Sequence, residues 1–469
     1  MAKSNDARRN FIKSLGVLGA GMATGCISNH TTEKPYMPSR TPGAKYMGGF
    51  SAPPLNMVRC AFIGVGARGI THVRQLAEIE GVEVVAISDL YEDLVKVAEK
   101  ECRENNSGRH QNIALFHGDH ELWRKMLEEV KPDAVFISTP WRWHAPMAIA
   151  AMEAGAHAFL EVPLATTVED IWKIIDTSEK TQKHCMMMEN CNYGREELLF
   201  LNMCNQGVIG DILHGEAAYI HELRWQMEHE NRGTGSWRTY KYAHRNGNLY
   251  PTHGLGPVSQ YMNLVRTEDN FSRLVSFSSP AIGRKKYAEV NFDENHKWNK
   301  LEYKGGDINT SIIKTVLGKT ILVQWDETSP RPYSRLNMIQ GTKGILAGFP
   351  TRVSLEHGVE GITNDHHQWV QGDNLLAIYE KYEHPLYKRL GSLAAKRGGH
   401  GGMDFIMRFR IIECLRNGEP LDQNLYEGGF WSAVAPLSEA SVSEGGTPQD
   451  FPDFTRGDWK KTERLKIIT

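Results

Sequence analysis

Residues 58–89 read VRCAFIGVGARGITHVRQLAEIEGVEVVAISD, and they decide the fold. Val58 to Val65 is an apolar run of the length of one buried parallel strand. Gly64-Val65-Gly66-Ala67-Arg68-Gly69 follows as a G-x-G-x-x-G turn, and Ile70 to Ile79 has the apolar spacing of an amphipathic helix. A second apolar run, Val82 to Ser88, ends in Asp89. Strand, glycine turn, helix, strand and acid in this order predict a dinucleotide site. The glycines let backbone N–H groups approach a pyrophosphate at the helix N-terminus, and a carboxylate at 89 suits the ribose hydroxyls. An acid there repels a 2′-phosphate, so the expected cofactor is NAD, with Gly64, Gly66, Ala67, Arg68, Gly69 and Asp89 in its site.

Working outward, short apolar runs alternate with helical spacing. Strands are predicted over 58–64, 82–88, 113–116, 134–138, 157–161 and 184–188. Helices are predicted over 69–79, 91–104, 119–130, 144–154 and 168–182. This is the pattern of an α/β doubly wound parallel sheet, whose ligands bind beyond the carboxyl ends of the strands. Three loops there carry chemistry-bearing residues: Ser138–His144, Glu161-Val162-Pro163 and Glu189–Tyr193. After Tyr193 a helix near 194–206 leads to strand-like runs at 212–222, 272–279, 310–316, 319–326, 335–340 and 344–348, without regular helices between them. These predict a second α/β domain on a mostly antiparallel open sheet. Helices at 403–416 and 430–441 follow a glycine-rich loop, Gly398-Gly399-His400-Gly401-Gly402. The expected division is 1–26 signal, 27–56 linker, 57–190 nucleotide domain and 191–469 substrate domain.

The N-terminus reads as a targeting segment. Arg8-Arg9-Asn10-Phe11-Ile12-Lys13 resembles a twin-arginine export signal, and Ser14 to Gly25 is an apolar run too short to span a bilayer. Ala23-Thr24-Gly25-Cys26 resembles a lipobox, which would place a lipid on Cys26. A periplasmic or membrane-anchored lipoprotein is therefore expected. Residues 27–56 are rich in Pro, Gly, Ser and Thr and read as a tether.

The chain has 469 residues and a formal net charge of −2, with charges of both signs dispersed along it. That pattern points away from a nucleic-acid partner. Seven cysteines show no C-x-x-C spacing. His117-x-x-His120 and His366-His367 lack a Cys or carboxylate partner at metal spacing, so no metal site is expected.

The three loops and the first strand resemble the Gfo/Idh/MocA oxidoreductase superfamily, which joins a Rossmann domain to an antiparallel-sheet substrate domain. Its Thr-Pro…His motif corresponds to Thr139–His144, and its Glu-Lys-Pro motif to Glu161-Val162-Pro163. Valine replaces the lysine that assists proton abstraction in ordinary dehydrogenases, and Val162 carries neither charge nor donor. A narrower resemblance accommodates this change. Trp141-Arg142-Trp143-His144, Glu161-Val162-Pro163, Asn192-Tyr193-Gly194-Arg195 and Tyr250-Pro251-Thr252-His253-Gly254-Leu255-Gly256-Pro257 resemble glycoside hydrolase family 109, NAD-dependent α-N-acetylgalactosaminidases.

That resemblance implies hydrolysis by oxidation at C3 of the sugar, elimination of the C1 substituent, addition of water and reduction. His253 is then the group for the C3 alcohol proton, Tyr193 the C2 base and Tyr250 a further catalytic phenol. Trp141, Arg142, Trp143, His144, Glu161, Val162 and Asn190 are expected to line the cofactor. Tyr219, Arg238, Tyr250, Pro251, Thr252, His253 and Tyr333 are expected to meet the sugar. Pairing of two copies through the open sheet face is expected from the superfamily. Two rival readings are a net sugar or inositol dehydrogenase, against which Val162 argues, and a non-catalytic glycan-binding lipoprotein, against which His253, Tyr193 and Tyr250 argue.

Overall fold

The computed structural model describes residues 35–104 and 109–465. The export motif, the signal to Cys26 and the first part of the tether lie outside the described residues. Contacts group Met37–Thr469 as one compact unit.

The first sheet is parallel and six-stranded. It contains β1 (Val58–Ile63), β2 (Val82–Ser88), β3 (Ala114–Phe116), β4 (Ala134–Ile137), β5 (His157–Leu160) and β6 (Cys185–Met187), in the order β3-β2-β1-β4-β5-β6. Apart from short β3 and a few flanking positions the strands are buried, because helices cover both faces. These are α1 (Gly69–Glu78), α2 (Glu92–Glu104), α3 (Leu122–Val130), α4 (His144–Glu153) and α5 (Val168–Thr181). The strand order reverses between β1 and β4, and the crevice beyond their carboxyl ends is where a ligand belongs.

After α6 (Arg195–Asn205) the chain builds a nine-stranded sheet. Its strands are β7 (Ile212–Ile220), β8 (Phe271–Ser278), β9 (Ile308–Thr315), β10 (Thr320–Asp326), β11 (Met338–Gly341), β12 (Gly344–Ala347), β13 (Arg352–Leu355), β14 (Val370–Gln371) and β15 (Gln449–Asp450). Their order is β14-β13-β12-β11-β7-β10-β9-β8-β15. Only β7 and β10 pair in parallel, so the sheet is mostly antiparallel as expected.

The expectation that this half lacks intervening helices is corrected. It contains α7 (Gly235–His244), α8 (Thr252–Tyr261), α9 (Gly283–Asn291), α10 (Leu376–Tyr382) and α11 (Pro385–Arg397). Helix α8 is not legible in the sequence because it holds two glycines and Pro257. Tertiary packing overrides those poor propensities. A Cβ at Gly254 would strike the backbone of Ala218, so glycine lets α8 lie directly on β7. Two last helices, α12 (Met403–Asn417) and α13 (Leu425–Ser443), return to the first half: α12 packs on α1 and α13 on α5 and β6.

The tether reading also needs correction over residues 37–56, which dock on the body. Arg40 bridges Glu179 (3.0 Å) and Asp458 (2.8 Å). Tyr46 stacks on Tyr426 at 4.8 Å, and the Tyr426 hydroxyl accepts from the Met47 N–H while donating to Glu179. Composition marked the segment as irregular, which it is; its anchoring comes from these distant partners.

Two buried histidines lie where β5 and β6 begin. The His157 Nδ1 accepts the His184 backbone N–H at 3.0 Å, and the two rings lie 5.1 Å apart. Burial lowers His157 to about 3 and His184 to about 4. The unfolded chain, near 6.5, then takes up protons that the folded state refuses. Stability from these groups is therefore complete above pH 6.5 and is lost as pH falls towards 4, by about 2 kcal/mol per histidine at pH 5. His157→Asn keeps an acceptor for the His184 N–H. Thermal melts at pH 7 and pH 5 should show a smaller acid destabilisation in that variant than in the parent; equal losses would place the acid sensitivity elsewhere.

Candidate active site

The crevice begins at the turn after β1. Gly64 adopts φ +82, and a Cβ there would lie 2.8 Å from the Ser138 carbonyl oxygen at the end of β4. A Cβ at Gly69 would collide with the Gly64 carbonyl, whereas the space at Gly66 is open. Glycine thus closes the turn on one side and leaves room on the other. Asp89 is held by backbone donors, Oδ2 from Val65 N–H (2.8 Å) and Oδ1 from Tyr91 N–H (3.0 Å). Burial raises its pKa while those bonds oppose. A cradle without side chains opposite a fixed carboxylate fits the pyrophosphate and ribose of NAD.

Beyond the cradle lies an ion cluster drawn from three parts of the chain. Arg68 Nε donates to Glu161 (2.6 Å), and its Nη atoms donate to both Asp404 oxygens (2.7 and 3.0 Å). Asn190 Nδ2 donates to Asp404 Oδ1 at 2.7 Å, and His72 Nε2 lies 2.7 Å from Glu161. Burial alone would raise both carboxyl groups, but the Arg68 charge and the His72 bond hold Glu161, and the His400 bond and the Arg68 charge hold Asp404, well below the usual range. Val162 is buried in the adjoining core, as is Trp141. Arg142 is exposed over the Trp143 ring. His144 spends both nitrogens on backbone, 2.7 Å from the Pro163 carbonyl and 3.0 Å from that of Thr139. It braces the loop from within, and neither ring nitrogen is left free.

The substrate side is an imidazole and phenol wall. Tyr219, near the end of β7, stacks on Tyr250 at 4.6 Å. His253, in the first turn of α8, sets its ring nearly perpendicular to both at 5.0 Å. Tyr219 Oη lies 2.8 Å from His221 Nδ1, and Tyr333 meets the His221 ring at 5.0 Å. Arg238 lies over Trp141 (5.2 Å), Trp237 (5.3 Å) and Tyr250 (5.1 Å). Its Nε is buried without a hydrogen-bond partner, so it can serve a ligand. Burial pushes the Tyr219 and Tyr250 phenols up, and Arg238 opposes this at both. Pro251 precedes α8 and Thr252 is buried beside it.

Tyr193 does not join this wall. Its hydroxyl donates to Asp422 at 3.3 Å beside Arg410, its ring is buried in the same core cluster as residues of α12, and burial holds the phenol protonated. The expectation of a C2 base at 193 is corrected: the turn Asn190–Tyr193 points this side chain inward. Four residues join the site without having been singled out for it. Glu189 reaches His253 Nδ1 at 2.7 Å; Asp404 closes the ion cluster. His221 is lowered by burial and, further, by the nearby His253 and His400 against Glu327. His400 sits in a run of five positive-φ residues, Gly398 to Gly402, and its Nδ1 lies 2.8 Å from Asp404 Oδ2. A side chain kept in the left-handed region among glycines costs about 1–2 kcal/mol. That glycine run was the one signal for His400 in the sequence.

Asp89→Ala should weaken retention of NAD through dialysis, a loss of about 1.5–3 kcal/mol of charge-assisted bonding; mass analysis of the denatured supernatant measures it. Tyr193→Phe should leave turnover within a few-fold of the parent while lowering stability by about 0.5–1.5 kcal/mol, the loss of one hydrogen bond to an Asp422 that Arg410 still holds. Steady-state rates beside denaturant titration check this pair of outcomes.

Comparison with known proteins agrees with this architecture. Residues 58–189 match the oxidoreductase family NAD-binding Rossmann fold, and residues 193–461 match the glycosyl hydrolase 109 C-terminal domain. The chain is 58% identical to glycosyl hydrolase family 109 protein 1 of Akkermansia muciniphila over 99% of both chains. It is 53% identical to a family 109 protein of Shewanella sp., again over 99% of each. Among solved structures, levoglucosan dehydrogenase in complex with NADH and levoglucosan shares the fold, with a TM-score of 0.61 at 18% identity over 84% of this chain and 99% of that one. Scyllo-inositol dehydrogenase of Lactobacillus casei with NAD(H) and scyllo-inositol gives 0.58 at 14% identity, covering 84% and 99%. With a glycine cradle for NAD on one side and an imidazole–phenol wall on the other, the chain belongs to glycosyl hydrolase family 109.

Proposed function

We propose that this glycosidase releases α-linked N-acetylgalactosamine by a redox-neutral route. One observation carries the reading: the three carboxylates that meet the cradle and His253 are each held by a partner. Glu161 and Asp404 are paired with Arg68, and Glu189 is paired with His253. A conventional glycosidase needs two carboxyl groups free to flank the scissile bond. The groups that remain are imidazoles and phenols, which suit proton transfer at C3, C2 and the leaving oxygen. The choice of sugar rests on the family resemblance.

NAD supplies, when bound, the acceptor and then the donor of a hydride at C3 of the sugar. His253 takes the C3 hydroxyl proton and returns it. Tyr250 replaces Tyr193 as the base for the acidified C2 proton: among the described residues its hydroxyl has no partner, and although burial raises its phenol, the Arg238 charge beside it opposes that rise. His400, with Nδ1 held by Asp404 and its side chain 64% exposed, gives a proton to the departing oxygen and takes one from the water that adds at C1. Arg238, Tyr219 and Tyr333 orient the sugar. Export by the twin-arginine route, a lipid on Cys26 and pairing of two copies belong to the same proposal. Phe277 and Ile312, exposed on the open sheet, support the last.

Turnover in D₂O should leave deuterium at C2 of the product. A protiated C2 would mean displacement at C1, and steady release of NADH would mean a net dehydrogenase. His400→Ala should slow glycosides with poor leaving groups by about 10²–10⁴ and activated aryl glycosides far less. Replacing Arg8 and Arg9 together by lysine should hold the protein in the cytoplasm, as cell fractionation would show.

A further inference from the structure

The carboxylate behind His253 has a job of its own. Glu189 is fully buried, and its two oxygens lie 2.7 and 3.0 Å from His253 Nδ1. Oε1 also accepts the Cys191 N–H at 3.1 Å, while Gln423 Nε2 holds the Glu189 carbonyl at 2.7 Å. Helix α8 approaches closely enough that a Cβ at Gly256 would lie 3.0 Å from Glu189 Cγ and 2.8 Å from Asn192 Oδ1. Burial alone would raise the Glu189 carboxyl, but the attraction and hydrogen bond of His253 bring it below its ordinary value. Among the described residues His253 is its sole ion-pair partner. Glu189, Cys191 and His253 also place potential ligand atoms close together, yet Glu189 and His253 satisfy each other and burial pushes the Cys191 thiol well up.

From this geometry we propose that Glu189 is the positioning residue that fixes His253 in its Nδ1–H tautomer and leaves Nε2 as the proton acceptor for the sugar's C3 hydroxyl. An ionised carboxylate only accepts hydrogen bonds, so the nitrogen facing it must carry hydrogen. The other nitrogen then has its lone pair free. The edge-to-face rings of Tyr219 and Tyr250 hold the imidazole in plane. With NAD bound to accept the C3 hydride, the O3–H bond would break with its proton passing to Nε2. The resulting imidazolium is neutralised by Glu189 within a water-poor wall. On reduction the proton returns to O3. No lysine stands at 162 to share this task, so the pair carries it. The inference rests on the proposed role of His253.

The test uses the purified protein with its NAD and ¹⁵N-labelled histidine. Long-range ¹⁵N–¹H spectra should show His253 protonated at Nδ1 in the parent. In Glu189→Gln the side-chain amide can donate to Nδ1 instead, so the Nε2–H form should appear. NADH formed in a single turnover on adding sugar should slow by about 10²–10⁴, with KM nearly unchanged and partial recovery in Glu189→Asp. Retained NAD and parental circular dichroism confirm folding. If the variant does not fold, the tautomer of the parent decides. Nε2–H in the parent, or NADH formation at the parental rate in Glu189→Gln, would overturn the proposal. Failure of the hydrolytic scheme reads differently: C2 would stay protiated in the parent while the tautomer and NADH formation remain.

Discussion

Arg68 is the charge on which the site depends. It leaves the glycine turn, meets Glu161 after β5 and forks onto Asp404 at the start of α12, far along the chain. Three loops are thereby fixed against each other by bonds that are individually worth roughly 1.5–3 kcal/mol. Removing one member would strand buried charge, a cost of about 3–5 kcal/mol. Arg408 extends the cluster from α12 to His72 and Thr71 on α1. The C-terminal return of the chain therefore braces the nucleotide cradle itself.

The same cluster sets the polarity of the neighbouring chemistry. By engaging Glu161 and Asp404 it holds both well below the usual carboxylate range, which disfavours them as proton donors. Asp404 remains useful through a second contact, the imidazole of His400. Across the crevice Glu189 holds His253 in a comparable way. Each histidine is thus backed by a buried anion, while Arg238 is lodged between aromatic rings beside Tyr250. Buried dipoles and charges in fixed positions need no reorganisation when a proton moves, which is how such a wall can serve a demanding step.

Sequence alone determined the nucleotide half almost to the residue. The period of its apolar runs, the glycine turn and Asp89 are local features, and local backbone sterics and burial write them directly into the chain. The motif Tyr250–Pro257 was legible through resemblance, although its helical state was hidden by glycines whose purpose is contact with Ala218 and Glu189. Tertiary structure decided what proximity decides. Tyr193 and Glu189 stand four residues apart in one turn, and side-chain direction sent the first to Asp422 and the second to His253. His400 and Asp404 entered the site only because α12 folds back onto α1. The docked segment 37–56 found its partners in Glu179, Tyr426 and Asp458 by the same means. Spacing along a chain records periodicity and turn chemistry; which buried charge finds which partner is settled only when distant segments share one low-dielectric interior.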